Sequence, residues 1–319
     1  MRGEGTLNKG PRVTIGLPVY QGERYIDEAI SSIRAQTYRD LELIISDNGS
    51  TDETQAICRR HAAEDPRVFY HRSPVNRGAS WNYNRLVDLA RGELFKWASH
   101  DDVLMPEFIE RCVQGLDGDP EAVLCHTGAV TIDEHSRRGR RWPPNPNAIA
   151  GPPARRFADM VLREGPCFPI FGLMRLDVLK RTGLLGPFNG HDRPLLAEMA
   201  LHGRFLYVPD ILFLNREHQQ RSIRAFKGDR DRIAWFDPAL SGRIVCAAPR
   251  LLLEYHRALA RAKVEGWDVV RTQLTLAWWT VLNSRVLAHD TLGSVRVILR
   301  RAIAGCGTTV GRRQSAGTG

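Results

Sequence analysis

The sequence has no long apolar run. No stretch of 18 apolar residues occurs among its 319. The best candidate, "WDVVRTQLTLAWWTVLNSRVL" (267–287), is interrupted by Asp268 and Arg271, so it predicts an amphipathic helix and not a membrane span. The six cysteines (Cys58, Cys112, Cys125, Cys167, Cys246, Cys306) form no CxxC pair and have no metal-ligand spacing. That excludes a zinc ribbon or a disulfide scaffold and predicts small core residues in a reducing compartment. The opening "MRGEGTLNKGPR" lacks an apolar h-region, so a cytoplasmic, non-spanning protein is expected. Lysine is scarce: five of the 45 Lys+Arg, so arginine carries the net charge of +9. A basic excess suits an anionic partner, whether nucleotide phosphate, nucleic acid or an acidic membrane surface, and equally suits a solvated arginine-rich surface. The basic residues are spread along the whole chain, not concentrated on one face with interleaved aromatics, so no nucleic-acid partner is expected.

The first half alternates strand and helix patterns. "RVTIGLPV" (12–19), "LELIIS" (41–46), "RVFYHR" (67–72) and "ELFKWA" (93–98) read as strands. Between them, "ERYIDEAISSIRAQ" (23–36) places Ile26, Ile30 and Ile33 on one helical stripe. "STDETQAICRRHAAE" (50–64) predicts a helix with a capping box from Ser50 and Glu53. "ASWNYNRLVDLARG" (79–92) predicts a helix closed by Gly92. This alternation predicts an α/β fold, a mostly parallel sheet with helices on both faces, which binds ligands beyond the carboxyl ends of its strands.

Three of those ends carry chemistry. Pro18, Val19 and Tyr20 follow the first strand, and a tyrosine offers a flat face to a base or packs in the core. After the second strand, Asp47 and Asn48 precede Gly49, an arrangement that also suits a plain Asx turn. After the fourth comes Ser99-His100-Asp101-Asp102. Adjacent carboxylates raise each other's pKa unless a cation neutralises them, and Mg²⁺ or Mn²⁺ takes such oxygen ligands together with substrate phosphates. The alternative is that Asp102 caps the helix opened by Pro106.

"VTIGLPVYQGERYIDEAISSIRAQTYRDLELIISDNGSTDET" and "NRGASWNYNRLVDLARGELFKWASHDDVLMPEFIERCV" resemble the family 2 inverting glycosyltransferases of GT-A fold over roughly residues 11–117. The resemblance implies a nucleoside-diphosphate-sugar donor, with UDP or dTDP favoured. Pro18, Val19 and Tyr20 would then line the base pocket, together with Asp47 and Asn48, where Asn48 replaces the family's second acid. Arg77 would face the diphosphate. The family's D-x-D-D motif is reduced here to Ser99-His100-Asp101-Asp102, so Asp101 becomes the main ligand of a divalent Mn²⁺ or Mg²⁺, Asp102 a lesser one, and Ser99 and His100 donor-side neighbours. The family's catalytic carboxylate corresponds to Asp192 in "HDRPLLAEMALHGRF", with His191 beside it. "NREHQQRS" makes Arg216 and His218 candidates for the diphosphate or the acceptor. The QxxRW signature of processive relatives is absent, which implies transfer of single sugars to a sugar, lipid-linked or small-molecule acceptor.

These matches divide the chain into a donor half (11–135), a flexible Pro- and Arg-rich loop (136–156), an acceptor and base half (157–225), a C-terminal helical region (226–305) and a disordered tail (306–319). "SVRVILRRAIAG" (294–305) is basic and amphipathic. It suits peripheral contact with the inner face of a membrane, packing on the domain, or a homodimer partner. A sugar-phosphate nucleotidyltransferase is the competing enzyme class, but "LPVYQGERY" is not the Gly-rich phosphate loop that it would place after the first strand.

Overall fold

The computed structural model describes residues 10–143, 148–163, 165, 167–219, 229–243 and 246–292. The basic segment 294–305 and the tail 306–319 lie outside the described residues.

The apolar runs of the first half become strands buried on both faces. β1 (Val13–Val19) and β2 (Leu41–Asp47) are buried throughout, as the central strands of a parallel sheet must be. β3 (Val68–Arg72) and β4 (Leu94–Trp97) flank them, all in parallel. The sheet continues through β8 (Leu173–Arg175), antiparallel to both neighbours, to β6 (Ala122–Ile132), β9 (Arg204–Arg216) and β5 (Val103–Leu104), in the order β3-β2-β1-β4-β8-β6-β9-β5. β7 (Arg138–Arg141) pairs with β6. The segment expected as a loop over 136–156 therefore contains a strand, and the helix α5 (Pro153–Leu162) already begins within it.

Helices cover both faces. α1 (Ile26–Arg34) and α4 (Phe108–Gly118) bury Ile26, Ile30, Ile33, Phe108, Ile109 and Cys112 on one side. α3 (Ala79–Leu89), α5 and α7 (Asp192–His202) bury Leu86, Phe157, Leu196 and Met199 on the other. α2 (Thr54–Glu64) packs beside α1 and β3, and α6 (Leu176–Lys180) follows β8. α8 (Asp229–Phe236), α9 (Ala247–Ala262) and α10 (Trp267–Leu282) complete the described fold.

Three local expectations are corrected. Ser50 does not cap α2, which starts at Thr54 with Glu53 in the cap position. The Ser50 hydroxyl instead accepts from the backbone of Gln21 at 3.0 Å, and Thr54 Oγ1 accepts from Gly22 N at 2.9 Å. Together they staple the turn after β1 to the turn after β2. Gly92 does not close α3, which ends at Leu89. A Cβ on Gly92 would sit 2.7 Å from Thr14 N, so glycine is required there by the close approach of β1. Asp102 does not cap α4, whose cap position is Glu107.

Candidate donor and catalytic site

Register brings the loaded strand ends to one edge. Val19 lies opposite Asp47, and Asn48 N donates to Val19 O at 2.9 Å. Ala98 N donates to Gly16 O at 2.9 Å, which carries the Ser99–Asp102 turn to the same side. Pro18 and Val19 are buried while Tyr20 is exposed. His100 lies against the turn, since a Cβ on Gly22 would meet its ring at 3.0 Å.

Asp47 and Asn48 act on the site's own loops. Asp47 is fully buried: Oδ1 accepts from Ser50 N at 2.8 Å and Oδ2 from the Tyr70 hydroxyl at 2.6 Å, with Arg72 Nε 3.4 Å away. Asn48 Oδ1 accepts from Arg77 N at 2.9 Å, and its Nδ2 donates to Asn76 Oδ1 and Gly78 O. Asn48 thus fixes the 76–78 loop. Arg77 lies 4.4 Å over the Trp81 ring, and Arg85 lies 5.1 Å from the same ring. Two guanidiniums on one indole make this edge positive. Tyr70, Arg72, Trp81 and Arg85 were missed by sequence reasoning, since aromatic and basic residues on an amphipathic pattern read as ordinary surface.

Asp101 and Asp102 have different hydrogen-bond partners. Asp102 Oδ1 accepts from Arg216 N at 2.8 Å and from Asn215 Nδ2 at 3.1 Å. Its carboxylate fastens the end of β9. Asp101 accepts from the Ser99 hydroxyl, and its Oδ2 lies 2.9 Å from His218 Nε2. Burial alone would raise the Asp101 carboxyl. The hydrogen bond from His218, the nearby His100 and the bond from Ser99 outweigh it and hold the group far below the usual carboxylate range.

Arg216 is held inside the fold. Its side chain is 1% exposed. Nε donates to Asp101 O at 2.8 Å, Nη1 to Asp133 O and Ser136 Oγ, and Nη2 to Glu28 at 2.6 Å, with the guanidinium over the Tyr25 ring. Every nitrogen has a partner within the fold.

Three buried polar atoms around this turn lack a hydrogen-bond partner among the described residues: the Tyr25 hydroxyl, His218 Nδ1 and Asn215 Oδ1. The Tyr25 and His218 rings are 4.9 Å apart. Buried polar groups are seldom left unpaired, so such a cluster points to a ligand. Among the described residues no group of three or more His, Cys, Asp or Glu side chains could enclose a metal ion. Asp101 and His218 nonetheless offer a carboxylate oxygen and an imidazole nitrogen at one point. That donor set suits a divalent cation whose other positions are filled by phosphates and water.

Asp192 opens α7, half-buried, and burial together with its carboxylate raises the Cys167 thiol pKa. His191 Nδ1 lies 2.6 Å from Gly186 O, and its ring packs 4.5 Å from that of Phe236. Burial lowers the His191 pKa, leaving the ring neutral more readily than a free histidine. Phe236 in turn meets the donor loop: a Cβ on Gly78 would lie 2.4 Å from Phe236 O. The His191–Asp192 turn is therefore joined through Phe236 to the loop held by Asn48. A cleft of about 490 Å³ beside His191 is lined by Phe188, Glu198, Arg250 and Arg261 among others.

An α/β sheet with acids, a basic loop and unpaired polar atoms at its carboxyl edge defines a nucleotide-handling enzyme fold. The sequence model of glycosyl transferase family 2 matches residues 14–181, and the chain belongs to that family of glycosyltransferase enzymes. The chain is 31% identical over 208 residues to chondroitin synthase of Escherichia coli, covering 62% of this chain and 30% of that one. It is 35% identical over 127 residues to an uncharacterized glycosyltransferase of Rickettsia typhi, covering 40% and 39%. The chain thus spans about a third of the length of these relatives. Among solved structures, S. aureus TarS in complex with UDP-GlcNAc superposes with a TM-score of 0.58 at 15% identity, covering 89% of this chain and 88% of that one. A mannosyltransferase from Pyrobaculum calidifontis in complex with GDP-Man and Mn²⁺ gives 0.51 at 18%, covering 90% and 88%. At such identities the likeness is one of fold, and the fold is GT-A.

Proposed function

We propose that the chain transfers a single sugar from a UDP- or dTDP-linked donor to an acceptor hydroxyl, with inversion at the sugar's C1. The observation that carries this reading is the Asp101–His218 pair at the end of β4, ringed by buried polar atoms without partners among the described residues. Residues 11–135 hold the donor, residues 157–225 hold the acceptor and the base, 136–156 link them, and the described helices between 229 and 292 belong to the C-terminal region. Tyr20 and Pro18 line the base side. Asn48 Oδ1 keeps a second lone pair for a base N–H beside its bond to Arg77 N. Arg77 and Arg85 neutralise the diphosphate. The solved neighbours with UDP-GlcNAc and GDP-Man support a nucleotide-sugar donor.

Asp101 and His218 would hold Mn²⁺ or Mg²⁺, and when bound such a cation supplies Lewis-acid stabilisation of charge on the leaving diphosphate. The acceptor oxygen forms its bond to C1 as the bond from C1 to the diphosphate oxygen breaks. Asp192 takes the acceptor proton as general base, and the half-buried start of α7 shields it from bulk water. His191 positions the acceptor side. The acceptor is a sugar, a lipid-linked sugar or a small molecule, handled on the cytoplasmic side.

A thermal-shift screen of UDP-, dTDP- and GDP-sugars, with Mn²⁺ and with chelator, tests the reading. A metal-dependent rise in Tm with a UDP or dTDP sugar is expected, since a ligand at a hundred times its Kd adds about 2.7 kcal/mol. No rise with any nucleotide sugar overturns it.

A further inference from the structure

α10 turns one face to the protein and leaves the other bare. Thr272, Thr275, Leu276 and Trp279 are buried, with Trp279 5.9 Å from the Tyr255 ring of α9. On the opposite side Trp267 is 78% exposed, Leu274 63%, Trp278 53% and Val281 60%. With Val270, these recur at three- and four-residue steps and form one stripe. The chain stays helical over 284–292, where Val286 and Leu292 are also exposed. From 267 to 281 the stripe runs about 20 Å. Single exposed apolar residues are ordinary, whereas a contiguous stripe of this size marks an interaction surface.

The charges on that face have one sign. Arg271, Arg285 and His289 are exposed, and no charged residue occurs from 272 to 284. The two acids of this stretch turn inward. The Asp268 side chain is 20% exposed and lies 3.8 Å from Arg271, and the 21%-exposed Asp290 accepts from Ala248 N at 3.1 Å. The whole sequence points the same way. Residues 247–319 contain eleven Lys or Arg against four Asp or Glu, seven of the chain's nine net positive charges. Basic residues are spread along the chain, but the net excess is not.

We infer that α10 is a docking helix that lies flat on an anionic lipid surface. Trp267 and Trp278 are amphipathic rings suited to the headgroup layer, and Arg271 and Arg285 lie where they can reach lipid phosphates while their stems stay on the apolar stripe. Among the described residues no helix is long and apolar enough to cross a membrane, so the contact is in-plane. A second copy fits this face less well. A two-fold pairing would bring Arg271 and Arg285 together with no exposed carboxylate between residues 267 and 292 to meet them, and like charges set against each other oppose association. The inference does not depend on the proposed transfer reaction.

The full chain is to be sedimented with phosphatidylcholine vesicles and with vesicles carrying about a third phosphatidylglycerol. Binding to the anionic vesicles alone is expected. Leu274→Glu combined with Trp278→Glu should lower that partition roughly tenfold or more without changing the far-UV circular dichroism, because both residues are exposed. Arg271→Glu with Arg285→Glu should abolish the preference for phosphatidylglycerol. Three results overturn the inference: a chain that stays in the supernatant with anionic vesicles, a Leu274→Glu/Trp278→Glu variant that sediments like the parent, or a solution dimer that this variant dissolves.

Discussion

His218 Nε2 meets Asp101 Oδ2 at 2.9 Å across 117 residues of sequence. The contact joins the turn after β4 to the segment after β9, and Asp102 secures it by holding the backbone of Arg216. The two adjacent acids therefore have different partners: Asp101 pairs with His218, and Asp102 holds the end of the strand that precedes it.

His218→Ala is expected to weaken the metal dependence of donor binding roughly 10- to 100-fold, and also to lower Tm, since it removes a partner of the buried Asp101 carboxylate. Titrating Mn²⁺ at fixed nucleotide sugar measures the metal dependence. An unchanged metal midpoint would show that the ring only packs on Tyr25.

Arg216 is expected to behave as a buried clamp. Arg216→Ala leaves the Asp101 and Asp133 carbonyls without their donors and should cost about 3 kcal/mol. Arg216→Lys should recover only part of this, because an ammonium cannot reproduce the fork. Thermal melts decide: normal stability with a selective loss of diphosphate affinity would place the guanidinium at the donor after all.

Lys96 is fully buried in β4 beneath the site, donating to Phe171 O between the Phe108 and Phe213 rings. Burial lowers its pKa from 10.5 to about 7. Between those values the unfolded chain binds a proton that the folded chain does not, so this group makes stability rise with pH across that window. Below about 7 the folded state bears the full cost of the buried charge. Lys96→Met should flatten that rise and increase stability at neutral pH, on the order of 2 kcal/mol. Melts across the window that keep the same slope in both proteins would contradict the assignment.

The donor half was legible because its signals are local. Strand and helix periods over 12–98 needed only a few residues of context, and so did the turns that end β1, β2 and β4. Long-range partners misled the local reading. Ser50 matches a capping box, yet its hydroxyl is held by Gln21 N, 29 residues away. Asp102 resembles a cap until β9 brings Asn215 and Arg216 to it. Gly92 resembles a helix stop, and only the approach of β1 explains it. Tyr25 and Asn215 gave no signal, since their place at the site depends on sheet register and on a crossing more than a hundred residues long.

The most direct test compares donor affinity with turnover in Asp192→Asn and Asp101→Asn, using calorimetric titration of the matching nucleotide sugar with Mn²⁺ and an assay of nucleoside diphosphate release to acceptor. The account predicts that Asp192→Asn binds donor like the parent and loses transfer by roughly 10²-fold or more, while Asp101→Asn loses the metal-dependent binding itself. Normal turnover by Asp192→Asn, or undiminished metal-dependent binding by Asp101→Asn, would contradict it.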